Sequence, residues 1–266
     1  MANTSRAIAS AAVAGGIASG ADADPVRNIV LVHGAFADGS GWRGVYDELT
    51  GRGFAVSVVQ NPLTSFADDV AATRRVLDRQ DGPVILVGHS YGGSVITETG
   101  VDPKVAGLVY VAAFAPEIGQ STLDQYAEIP PPPHFVPEEQ PDGFAYLNAE
   151  QFRAGFAGDT SEADAAFLRD AQVPIAMAAL GAPVTVAAWK EKPSWFVVAA
   201  EDGAIDPELL RSTARRIGAE TTEVPGSHVV FLTQPKAVAD VIDAAARGAA
   251  RAAEGSGDAG KPSPQE

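Results

Sequence analysis

The sequence predicts an α/β protein, a mostly parallel sheet covered by helices on both faces and interrupted by a small helical cap. Three observations predict it. Short apolar runs at 28–32, 54–59, 84–87, 106–112 and 195–200 mostly lack the polar-out alternation of a half-exposed strand, so they suit strands buried on both faces. Segments with helical spacing separate these runs, as parallel neighbours require. After Ala115-Pro116 the rhythm breaks for about seventy residues, far beyond an ordinary loop.

Taken in order, NIVLV from Asn28 is the first strand, and it turns through His33-Gly34 into a Gly-rich loop that ends near Trp42. The segment 42–50 fits a helix closed by Gly51 and Gly53, and FAVSVV with the turn Asn61-Pro62 is the next strand. Residues 65–80 begin with acids and end with Arg74, Arg75 and Arg79, the polarity that complements a helix dipole. VILV at 84–87 is a strand, 91–99 a helix and 106–112 a further strand. The stretch 117–190, with the prolines at 130–133 and scattered aromatics, reads as an inserted cap of two or three short helices, one of them near 161–169. The rhythm resumes with WFVVAA, a helix at 207–217, a strand at 221–224 and a last helix from Pro235 to about Ala249. The core is thus expected at 25–116 and 191–250, with a disordered Gly/Ser/Pro tail at 251–266.

Composition bounds the chemistry. The 266 residues carry 34 acids against 19 Lys and Arg, a formal charge of −15, and there is no Cys. That length buries one sizeable core. Disulfides, thiolate metal sites and a cysteine nucleophile are excluded. The negative field disfavours nucleic acid and anionic membranes as partners. No run of eighteen apolar residues predicts a stable membrane insertion. Residues 1–24 read either as an Ala/Gly-rich tail, with a cytoplasmic protein, or as a leader whose cleavage after about residue 23 would place the protein in the periplasm or outside the cell. A homodimer is left open.

The most specific feature is Gly88-His89-Ser90-Tyr91-Gly92-Gly93, between a strand and a helix. It fits the G-x-S-x-G nucleophile elbow, a sharp turn that exposes a serine hydroxyl at the sheet's carboxyl edge while the next helix offers its N-terminal N–H. A serine needs a base, and the order Ser, acid, His is met by His228 in the loop Pro225-Gly226-Ser227-His228. Glu201, Asp202 and Asp206 compete for the acid after WFVVAA, with Glu117 as a further competitor. Asp202 is favoured at the strand end, because Asp206 before Pro207 suits a helix N-cap. His33-Gly34-Ala35-Phe36 after the first strand is the expected second wall of an oxyanion hole, with the N–H groups of Ala35 and Tyr91 as donors. His33 is expected to anchor that loop and His89 to pack or hydrogen-bond beneath the elbow. Gly34, Phe36, His134 and Phe135 are candidates to line the substrate site.

With these residues in this order, the chain closely resembles the α/β-hydrolase superfamily over 28–249. HGAFADGSGW at 33–42, GHSYGG at 88–93, VYVAAFAP at 109–116 and EVPGSHVVF at 223–231 are similar to the group that holds plant methyl-ester esterases, hydroxynitrile lyases and bacterial esterase-like proteins. The resemblance implies an eight-stranded sheet, a helical cap over the serine and no metal or organic cofactor. Lyases of the group carry Thr at the place of Gly34 and Lys at the place of Val229, so the resemblance implies an esterase. Dehalogenases and many epoxide hydrolases have Asp where Ser90 stands. The expected activity is hydrolysis of a small-molecule carboxylic ester with an apolar acyl or alcohol part. An amidase, lactonase, carbon–carbon bond hydrolase or perhydrolase would use the same triad. A non-enzymatic binding protein on this fold is a further rival.

Overall fold

The computed structural model describes residues 25–127 and 129–258. The reading of residues 1–24 as leader or tail lies outside the described residues. The core elements are β1 (Asn28–Val32), α1 (Arg43–Gly51), β2 (Ala55–Val58), α2 (Phe66–Asp78), β3 (Val84–His89), α3 (Gly92–Thr99) and β4 (Val105–Val111). The cap follows with β5 (Pro137–Glu139), β6 (Phe144–Leu147), α4 (Phe152–Phe156), α5 (Glu162–Asp170), β7 (Ile175–Ala176) and α6 (Met177–Leu180). The core resumes with β8 (Ser194–Ala199), α7 (Pro207–Arg216), β9 (Glu220–Val224), α8 (Val230–Thr233) and α9 (Pro235–Asp258).

The main sheet runs β2-β1-β3-β4-β8-β9 with every pairing parallel. Residues of β1, β3 and β8 are buried throughout, as the apolar runs demand of strands with helices above and below. Helices α1 and α9 pack together, α9 also lies against β3, β4 and β8, and α2 packs with α3. Strand order reverses where β3 follows β2 on the far side of β1, so the carboxyl ends of β1 and β3 flank a crevice, the usual ligand position of a doubly wound sheet.

Local chemistry fixes the helix starts. The Ser65 and Ser161 hydroxyls accept from the N–H groups of Asp68 and Asp164, and Asp206 caps α7 through the Glu208 N–H with Pro207 at the first turn.

Three expectations change. The implied eight strands are six among the described residues, where only residues 25–27 precede β1. The cap is not purely helical, because β5, β6 and β7 form a small antiparallel sheet. These strands are two to four residues long, too short for periodicity to separate them from loop, although β6 does alternate, with Ala145 and Leu147 buried and Tyr146 exposed. The last helix runs past Ala249 to Asp258, so the first part of the expected tail is helical; residues 250–254 are good helix formers, whereas Gly255, Ser256 and Gly257 are not.

Candidate active site

Strand β3 delivers Ser90 into a turn with φ +53°, a left-handed conformation that costs a residue other than glycine about 1–3 kcal/mol. The surroundings hold it there. Ser90 N–H donates to the Val111 carbonyl at 3.2 Å, and its own carbonyl accepts from Gly93 N–H at 2.9 Å and Phe114 N–H at 3.2 Å. A Cβ on Gly93 would collide with the Phe114 backbone, which explains the glycine that follows the motif.

His228 stands over the serine. Its Nε2 is 2.8 Å from Ser90 Oγ and its Nδ1 is 2.8 Å from Asp202 Oδ2. The second Asp202 oxygen accepts from the N–H groups of Ala204 at 2.8 Å and Ile205 at 2.9 Å, which fixes the carboxylate and assigns the Nδ1 proton to His228. All three side chains are buried, His228 at 1% exposure. The competing acids lie elsewhere. Glu201 is exposed, Asp206 caps α7, and Glu117 pairs with Lys190 at 2.8 Å and Arg216 at 3.5 Å.

The other two core histidines are structural and stay neutral. His33 Nδ1–H donates to the Gly34 carbonyl and its Nε2 accepts from Asn61 N–H, each at 2.9 Å. Burial holds its pKa below the ordinary value. His89 donates from Nε2 to the His228 carbonyl at 2.9 Å, and burial, with His228 alongside, holds it far below that value. The bond ties the end of β3 to the loop that carries the base.

Ala35, Ser90 and Tyr91 line one cavity, and among the described residues neither Ala35 N–H nor Tyr91 N–H donates to a protein acceptor. Two such donors beside a serine suit an oxygen that becomes negative. Behind them Tyr91 donates its hydroxyl to Asp69 Oδ2 at 2.6 Å, while Asp69 Oδ1 accepts from Leu63 N–H at 2.8 Å. Burial pushes the Asp69 carboxyl up to about 6 against the lowering effect of these bonds, and raises the Tyr91 hydroxyl. Asp69 was invisible in the sequence as part of the site, because it shares an acidic first turn with Asp68.

The cavity has a volume of about 120 Å³ and is walled by Phe36, Phe114, Leu123, Phe135, Phe156 and Met177. Its hydroxyl-bearing side chains other than Ser90 are already engaged. Tyr126 donates to the Ala204 carbonyl at 3.1 Å, Thr122 bonds Ser94 at 2.7 Å, and Tyr91 bonds Asp69. Phe36 and Phe135 thus stand in the wall, edge to face at 6.2 Å. Gly34 lies behind it, where a Cβ would fall 2.7 Å from Ser90 Cβ. His134 does not reach the cavity. Its backbone packs against Gly155 of α4, and its exposed ring turns outward to bond Gln151 at 2.7 Å.

The pattern of the Alpha/beta hydrolase family matches residues 29–241. The chain belongs to the α/β-hydrolase family. It is 34% identical over 123 residues to a carbendazim hydrolyzing esterase of Nocardioides sp. (strain SG-4G), a match over 40% of this chain that spans 50% of the esterase's length. It is 28% identical to the α/β hydrolase nvfD of Aspergillus novofumigatus (strain IBT 16806), over 82% of this chain and 96% of that one. Its fold is similar to that of an extracellular α/β-hydrolase from a Paenibacillus species, itself said to share structural and functional homology with tobacco salicylic acid binding protein 2 (22% identity, TM-score 0.70, 83% and 99% of the two chains). Among the described residues no helix is long and apolar enough to cross a membrane, and no three His, Asp or Glu side chains group to hold a metal ion.

Proposed function

We propose that this α/β-hydrolase cleaves carboxylic esters whose acyl part is apolar and uncharged. The observation that carries the reading is the unbroken line Ser90 Oγ, His228, Asp202, each link 2.8 Å, at the floor of an apolar cavity with two free N–H groups. His228 Nε2 takes the Ser90 proton as Oγ attacks the ester carbonyl. The tetrahedral oxyanion is held by Ala35 N–H and Tyr91 N–H, donors of a kind worth about 3 kcal/mol each to the transition state. Asp202 fixes the tautomer and stabilises the imidazolium. His228 then protonates the leaving alcohol and activates the water that releases the acid. Phe36 and Phe135 bind the apolar part, while Gly34 lets the oxyanion loop lie against the serine.

Selectivity for an uncharged acyl group follows from the walls. A carboxylate or ammonium inside would lose its hydration and, with the two N–H groups taken by the ester oxygen, find no free partner. That a relative is named a carbendazim hydrolyzing esterase supports the hydrolytic part of this reading.

The test is turnover of p-nitrophenyl butyrate with covalent labelling by a fluorophosphonate. Ser90→Ala should fold normally, resist labelling and lose at least about 10³-fold in turnover, with His228→Ala nearly as damaging. Full activity in purified Ser90→Ala would sink the mechanism.

A further inference from the structure

The loop that carries the base is gripped from both sides. On the core side, His89 donates to the His228 carbonyl at 2.9 Å and its ring lies 4.7 Å from the His228 ring. On the cap side, the grip comes from α4 and the turn after it. The Phe156 ring lies 5.0 Å from His228, and the carboxylate of Asp159 receives two hydroxyls, one per oxygen. One is Ser227, immediately before the base. The other is Thr233, at the end of α8, at 2.6 Å. Asp159 thus brackets His228, and among the described residues it makes no ion pair that would compete for its oxygens. The acid's turn leans on the same helix, since a Cβ on Gly203 would lie 2.5 Å from the Ala154 carbonyl.

We propose that Asp159 is a positioning residue through which the cap sets the catalytic base over Ser90. The proposal rests on the reading of His228 as that base. Hydroxyl bonds to a carboxylate are stronger than neutral ones, and two converging on one group constrain rotation as well as distance. Residues on either side of His228 are fixed together, so losing both bonds loosens the loop, although His89 still holds the His228 carbonyl, Glu201 N–H the Gly226 carbonyl at 3.0 Å and the Phe156 carbonyl the Ser227 hydroxyl at 3.4 Å. The reaction needs the 2.8 Å contact between Nε2 and Oγ, and a misplacement approaching 1 Å costs on the order of 10²-fold.

Asp159→Ala should therefore lower kcat about 10-fold on p-nitrophenyl butyrate and slow fluorophosphonate labelling of Ser90 in proportion, with KM within about 2-fold. Asp159→Asn keeps one carbonyl acceptor and an amide that a hydroxyl can accept, so it should restore kcat to within about 3-fold of the wild type. Ser227→Ala combined with Asp159→Ala should cost less than the sum of the single changes, as partners in one contact do. Amide exchange over 226–234 should quicken in Asp159→Ala while that of β3 stays unchanged. A kcat within about 2-fold of wild type in Asp159→Ala with unaltered exchange, or an Asn variant as damaged as the Ala variant, overturns the proposal. A wild type that neither hydrolyses the ester nor takes the label would defeat the esterase reading instead, and the exchange comparison would then decide the role of Asp159 alone.

Discussion

Asp69 shows how a single buried acid couples the site to pH. Its carboxyl is fully buried, bonded to Tyr91 and Leu63, and raised to about 6 chiefly by burial. Between pH 4 and 6 the folded chain keeps this proton while the unfolded chain has released it, so this residue's contribution to stability falls as pH rises through the window. Asp69→Asn can still accept from Leu63 N–H and donate to the Tyr91 oxygen, but it has no charge to bury. Urea unfolding should find the variant gaining about 2 kcal/mol on wild type between pH 4.5 and 7, and a pH-independent difference would contradict the assignment. Gly34 makes the second residue-scale prediction. Gly34→Thr places a Cβ 2.7 Å from Ser90 Cβ and must move the loop proposed to hold the oxyanion, so ester turnover should fall by at least about 10²-fold, read as kcat with the protein still folded by circular dichroism.

At the scale of elements, the core helices and strands were legible because each carries its own start and period. Ser65 and Asp206 stand where caps belong, and the fully buried strands are apolar on both faces. The cap is less legible. Its small sheet is formed by strands too short to show a period, and one of them, β5, is Pro-Glu-Glu, a sequence with no strand preference. Its helix α5 was legible for the same reason as the core helices, since Ser161 caps it through Asp164 N–H. Ser161→Ala should destabilise the cap locally by about 1 kcal/mol, seen as faster amide exchange over 161–170 with that of β3 unchanged. Equal exchange in variant and wild type would deny the cap its role.

On the scale of the whole molecule, the formal charge of −15 and the apolar cavity act in the same direction. A substrate with an acyl carboxylate meets a repulsive field outside and an unpaired desolvation inside. A hemisuccinate ester should be turned over with kcat/KM at least about 10²-fold below the neutral butyrate ester of the same alcohol. Added salt should narrow the gap only slightly, because it screens the outer field but leaves the walls unchanged. Equal rates for the two esters would remove the neutral-substrate reading while leaving the triad intact.

The sequence by itself determined the α/β order, the elbow at Ser90 and the loop position of His228, because those features are local: a period, a cap, a turn that needs glycine. It favoured Asp202 as the acid, with Glu201, Asp206 and, after another strand, Glu117 as competitors. Only the tertiary structure decided among them, through the Asp202 contact with His228, and only it separated Phe36 and Phe135, in the cavity wall, from His134 on the outside of the cap. Asp69, bonded to the Tyr91 hydroxyl, and Asp159, bonded to Ser227 beside His228, were hidden for the same reason. Each is an ordinary acid in an ordinary segment, and its part in the site comes from contacts with residues brought near by the crossovers of the sheet and the folding back of the cap, which no local pattern encodes.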